Sequence, residues 1–238
     1  MQEMKGQPPQ LQNAGLVHRR GLALAYLTCR ALIDADPNPR AREMSEKILF
    51  FVNGVGLTSD LLPHEMRLLK APFGSLNETE CAATSWLSEG MVLLAWAIGH
   101  VELPDFRTKC HPGPAAITLG MFRPGTKDRL AQATLRDPME IEMKSLTYLA
   151  LNWRIGHFLL NPAEKIDFAA RLKDPQSPHL LVDEVELLDG DMAIDGVPLV
   201  EVPHERAGEV AFIVRERFNA LQWLQGYAEH YSTEATVQ

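Results

Sequence analysis

The chain has 238 residues, 46% of them hydrophobic and 23% charged, with 31 acidic against 23 basic side chains and a net charge of −8. That composition supplies a sizeable core for one large globular unit or two small ones. The acidic balance opposes a phosphate-backbone partner, which calls for a basic excess or stripe; the densest basic stretch is Val17-His18-Arg19-Arg20.

Met1 to Gln12 is polar and rich in Pro and Gln, with no apolar run after its single lysine, so it reads as a flexible tail and not as a signal peptide. Asn13 to Asp34 reads as a helix, with Leu16, Leu24, Leu27 and Ala31 on its apolar stripe. Pro39 to Val55 reads as a second, closed by Asn53-Gly54 and Gly56. The run Asn53-Gly54-Val55-Gly56 imitates the start of a dinucleotide fingerprint, but the third glycine is absent and no βαβ pattern follows, so a glycine helix stop is the better account. A short helix over Pro63 to Lys70 follows, starting near Asp60 or Leu62 and ended by Pro72. Asn77-Glu78-Thr79-Glu80 is a capping-box variant that opens a long helix for Gly99 to close. Its apolar run, Met91 to Ile98, is far short of the roughly 20 residues that span a bilayer, so no membrane partner is expected.

Asp137-Pro138-Met139-Glu140 starts another long helix, to about Leu160, and Asn161-Pro162-Ala163-Glu164 one more, to about Leu172. Lys173 to His179 reads as loop. Val182 to Val202 alternates and is cut by Asp189-Gly190 and Asp195-Gly196, which predicts a small β-hairpin. A last helix is predicted from near Glu205 to near Tyr231. The fold class is mainly α: a single compact multi-helix domain over 13–231, a β-hairpin before its C-terminal helix, and a flexible tail at 232–238.

The cysteines, Cys29, Cys81 and Cys110, are widely spaced and odd in number, which suits free thiols in a reducing cytoplasm. None forms a C-x-x-C, and the eight histidines show no H-E-x-x-H, so neither metal nor cofactor is expected. Cys110 lies in a loop segment with His111 and Pro112, and nothing in the sequence lowers its pKa. Ser75 lacks a nucleophile elbow, and no catalytic residue is assigned.

The most informative stretch runs from Arg215 to Tyr227. Residues three, four and seven apart share a helix face. Glu216 falls on a row with Phe212, Ala220, Trp223 and Tyr227, and Arg217 on a row with Ile213, Leu221 and Leu224. Glu89 likewise shares a row with Trp86, Leu93 and Trp96. Charges inside apolar rows must be paired or must serve a site. Arg217 is therefore predicted to be buried and paired with a carboxylate, Glu89 before Glu216, because Glu216 points about 100° away. Trp86, Trp96, Trp153 and Trp223 fall mid-helix and read as core, with an aromatic ligand pocket as the alternative.

Three blocks carry a family resemblance: Trp86-Leu87-Ser88-Glu89 with Leu93 to Gly99, Leu103-Pro104 and Cys110; Leu135-Arg136, Glu140-Ile141 and Trp153; and the stretch from Arg215 to Tyr227. The chain resembles a bacterial family known as domain of unknown function 4272, over much of residues 84–227. The family label implies no activity. Leu87, Ala150, Asn152 and Phe218 replace polar residues of the family pattern, and the acidic tail after its last helix is here Ser232 to Thr236, which lowers a catalytic reading.

Two readings stay open. One is a non-enzymatic domain that binds a protein partner or forms a homo-oligomer. The other is an enzyme or small-ligand binder with a pocket between long helices, using Glu89, Trp153, Glu216 and Arg217. A concave pocket with convergent charges favours the second; a closed core with a flat apolar patch favours the first.

Overall fold

The computed structural model describes residues 10–34, 36, 38–172 and 185–231. The loop expected over 173–179 and most of both tails lie outside the described residues. Helix starts follow from caps. α1 spans Ala14–Asp34. α2, Pro39–Val55, opens where the Asn38 side chain accepts from Arg40 N, and closes where Gly56, at φ 80°, donates to Val52 O and Asn53 O. α3 is Pro63–Lys70. α4, Glu78–Ala97, begins in the expected capping box, Asn77 and Glu80 each accepting the other's backbone N–H. α5 (Pro112–Thr118) and α6 (Thr126–Ala131) are short and were not foreseen. α7, Pro138–Leu160, has Asp137 as its cap and Pro138 at its first position.

Three departures from the expected elements follow. The helix expected from Asn161 is only α8, Phe168–Leu172, because the Asp167 carboxylate caps Ala170 N at 2.8 Å and starts the helix there. The expected hairpin is a three-stranded antiparallel meander, β1 (Leu187–Leu188), β2 (Asp191–Ile194) and β3 (Val197–Pro198), because both Asp-Gly pairs turn the chain. The final helix, α9, spans His204–Leu224 and stops short of Tyr231. Gly226 turns the chain at φ 79°, where a Cβ would run into the backbone of Gln10. Beside it, Gln12 N donates to Leu224 O at 2.8 Å.

α4 is apolar all round in its second half, and such a helix belongs in the centre. It packs between α1 and α9, α7 covers the far side of α9, and α2 and α3 flank α1. The meander is fastened to α7 by buried Arg154, whose Nε and Nη2 donate to Asp191 at 2.7 and 2.5 Å. No helix among the described residues is long and apolar enough to cross a membrane.

Candidate functional site

Arg217 and Glu89 meet where α9 crosses α4, and both are 0% exposed. Arg217 Nε donates to Glu89 Oε2 at 2.9 Å, and Nη2 lies 2.8 Å from the same oxygen. Nη1 donates to Pro104 O (2.8 Å), Asp105 O (3.2 Å) and the Tyr148 hydroxyl of α7 (2.9 Å), and Nη2 to Thr108 O (3.0 Å). The other Glu89 oxygen accepts Cys110 N at 2.8 Å. Ile213, Leu221 and Leu224, the apolar neighbours predicted on the Arg217 row, are all fully buried. Burial opposes the guanidinium charge, but the Tyr148 and Glu89 oxygens outweigh it and hold the Arg217 pKa above its ordinary value. One side chain thus joins α4, α7, α9 and the loop between Gly99 and His111. All three of its guanidinium nitrogens donate to protein acceptors, so the centre is closed and satisfied from within.

The other two residues singled out, Glu216 and Trp153, lie in different surroundings. Glu216 is buried one step away, accepting the Tyr231 hydroxyl at 3.0 Å. Its row differs from the expected one, because Phe212 and Tyr227 are exposed while Ala220 and Trp223 are buried. Trp153 is half-buried; its ring neighbours are Phe168, His157 and the Arg171 guanidinium, so no contact seen here brings it to the Glu89–Arg217 centre. Trp96 and Trp223 are core residues, whereas Trp86 is half-buried and stacks on exposed Phe212.

Two further buried arginines, Arg20 and Arg30, also pair with a carboxylate and donate to backbone carbonyls. Arg20 makes a bidentate pair with Glu65 (2.9 and 2.5 Å) and donates to Tyr231 O. Arg30 pairs with Asp34 and donates to Ala71 O and Pro72 O, and Asp34 accepts Gly74 N and Leu76 N. Arg20 has Leu16, Val17, Ala23 and Leu24 as helix-face neighbours, so the test that found Arg217 applies to it too. Glu65 was hidden, because its contact with Leu62 N is a helix cap that already accounts for an acid at that position.

The cysteines among these residues are free. Burial, with the Glu89 carboxylate adding to it, pushes the Cys110 thiol up to about 12, and burial pushes Cys29 up to about 11. At pH 8 a thiol reagent is expected to spare Cys110 in the folded protein and to count three thiols after unfolding. An unfolded thiol ionises near 9.0. Above that pH the unfolded chain releases a proton that folded Cys110 keeps until about 12, so stability falls across this window. Urea titrations at pH 8 and about pH 10.5 check the sign, and Cys110→Ala should flatten the fall.

An open groove of about 240 Å³ lies between α7 and α9. Ile155, Gly156 and Leu159 line it from α7, and Gly208, Ala211 and Phe212 from α9, with Arg215 at one end. A Cβ on Gly156 or Gly208 would meet nothing within 4 Å, so the groove is open over both glycines. Phe212 is 40% exposed, and Leu160, at the C-terminal end of α7, is 82% exposed. At the Arg215 end the Trp86 and Phe212 rings stack, with centroids 5.3 Å apart and planes at 17°. Lys109 Nζ sits 4.0 Å from the Trp86 centroid and the Arg215 guanidinium carbon 4.6 Å from that of Phe212. Sequence reasoning missed this surface, because it joins α4, α9 and the loop carrying Lys109 through contacts that no local pattern encodes.

The family described as a domain of unknown function, DUF4272, matches residues 5–167. The chain belongs to the DUF4272 family. No curated protein and no solved structure matches it. The DUF4272 span takes in α1 to α7, with Glu89 and Trp153, but ends before the meander and α9. The block from Arg215 to Tyr227, read above as part of the resemblance, therefore lies beyond the DUF4272 match. The Glu89–Arg217 pair and the α7–α9 groove each join a DUF4272 helix to one outside the matched residues.

Proposed function

We propose that this protein is a non-enzymatic interaction domain that holds a helix of a partner protein in the groove between α7 and α9. The observation that carries this reading is the contrast between two places. The Glu89–Arg217 centre is closed, and its donors are used within the chain. The α7–α9 surface is open, with small residues on its floor and exposed Phe212 in its lining. A groove between two long helices is the shape that a third helix fills by setting its apolar face against the pair. The buried centre then acts as scaffold. The reading places the domain in a reducing cytoplasm, in keeping with its free thiols, and gives it no nucleic-acid partner, in keeping with the net charge of −8.

Gly208→Trp fills the groove from α9 without touching the buried centre. A photo-crosslinking residue at Ala211, in cells that carry the protein natively, should yield a partner that can be identified, purified and recombined with the chain. Gly208→Trp should weaken that purified complex by at least about tenfold, with the thermal midpoint of the domain unchanged. Binding that is indifferent to Gly208→Trp, or mass measurements showing that the groove contact is a second copy of this chain, would overturn the reading.

A further inference from the structure

Building on this groove reading, we infer that the partner helix is acidic: beside its apolar anchor it presents carboxylates to Arg215 and Lys109. The chain as a whole is acidic, yet among the described residues Arg215 is the one charged residue lining the groove. The aromatic pair at its end carries a cation over each ring, Lys109 over Trp86 and Arg215 over Phe212. Glu209, an exposed acid of α9, is paired with Arg206 at 2.6 Å.

Arg215 is also incompletely satisfied. Its Nε and Nη2 are turned inward and make no hydrogen bond among the described residues; its ion pair with Glu216, 3.9 Å from Nε to Oε1, is too long to be one. Inward donors without an acceptor are costly. An arriving carboxylate that draws this flexible, partly exposed side chain outward gives those donors a charge-assisted pair in exchange for the long contact with Glu216, whose other oxygen keeps the Tyr231 hydroxyl. Lys109 is held ready in a different way. The residues on either side of it are fastened to the buried centre, Thr108 O by Arg217 and Cys110 N by Glu89. The backbone that presents the ammonium is thus fixed in advance, which lowers the ordering cost of binding.

The probe is a hydrocarbon-stapled helical peptide of about 15 residues, with Leu and Phe at positions i, i+4 and i+7 and Glu flanking that stripe. Its Glu→Gln counterpart is otherwise identical. Fluorescence anisotropy with the full chain should show the Glu peptide binding about tenfold more tightly than the Gln peptide at low salt, with the gap narrowing as salt rises. Arg215→Met with Lys109→Met should close the gap while leaving the binding of the Gln peptide in place. Gly208→Trp should abolish the binding of both. Equal affinity for the two peptides, still lost in Gly208→Trp, overturns the acidic partner and leaves the groove standing. Failure of both peptides to bind, or binding that Gly208→Trp does not touch, overturns the groove and the acidic partner together.

Discussion

Arg217→Met is expected to lower the unfolding free energy by about 3–5 kcal/mol, the usual cost of removing one partner of a buried pair. The substitution strands the Glu89 carboxylate, which is fully buried and loses its charged partner while keeping the Cys110 N–H. It also deprives three carbonyls, Pro104, Asp105 and Thr108, and the Tyr148 hydroxyl of a donor. Glu89→Gln in the same chain removes the stranded charge but does nothing for the carbonyls. The double variant should therefore recover part of the loss, with a coupling of at least about 1 kcal/mol in a urea-denaturation cycle. Effects that add to within about 0.5 kcal/mol would mean that the two groups act independently.

Gly90→Ala is expected to cost about 3 kcal/mol, the upper range for forcing extra volume into a filled core. Gly90 sits in the interior of α4, where alanine is ordinarily better by about 1 kcal/mol. Here a Cβ would fall inside the phenol of Tyr231. That ring is buried against α4; its hydroxyl donates to Glu216 and its carbonyl accepts from Arg20. Burial and the Glu216 carboxylate raise the Tyr231 pKa well above the usual phenol value, so it stays a donor at neutral pH. The sharp test is the background. In a Tyr231→Ala chain the slot is vacant, and Gly90→Ala should become neutral or stabilising. A loss of the same size in both backgrounds would show that Tyr231 is not what the glycine accommodates.

Much of the helical frame was legible because its ends are chemically marked. Asn38, Asn77 and Asp137 cap helices whose first turns hold Pro or Glu, and Gly56 closes one. The misses have different causes. Gly226 is itself a local stop, its N–H donating to Trp223 O and Tyr227 N to Gln222 O, and reading α9 through it to Tyr231 passed over that signal. α5 and α6 are too short to display a period. The Glu89–Arg217 pair was legible because two charges interrupt apolar rows and each requires a partner. Glu216 was legible as buried but not as a member of that pair, and Trp153 kept its helix while joining a different set of rings. The Lys109, Trp86, Phe212 and Arg215 surface was out of reach, since none of the four is anomalous in its own segment.

Arg217 grips the segment from Pro104 to Thr108 by carbonyl oxygens alone. Every residue type carries a carbonyl, so the fastening does not depend on which side chains the segment bears. Lys109 and Arg107 can be exchanged without removing an acceptor of Arg217, whereas the Asp105 carboxylate, which accepts Arg107 N at 2.8 Å, also shapes the turn. The fold therefore separates how the segment is held from what it displays. A loop built this way can drift in sequence while keeping its shape, and a new displayed side chain at position 109 would alter recognition without a compensating change in the core.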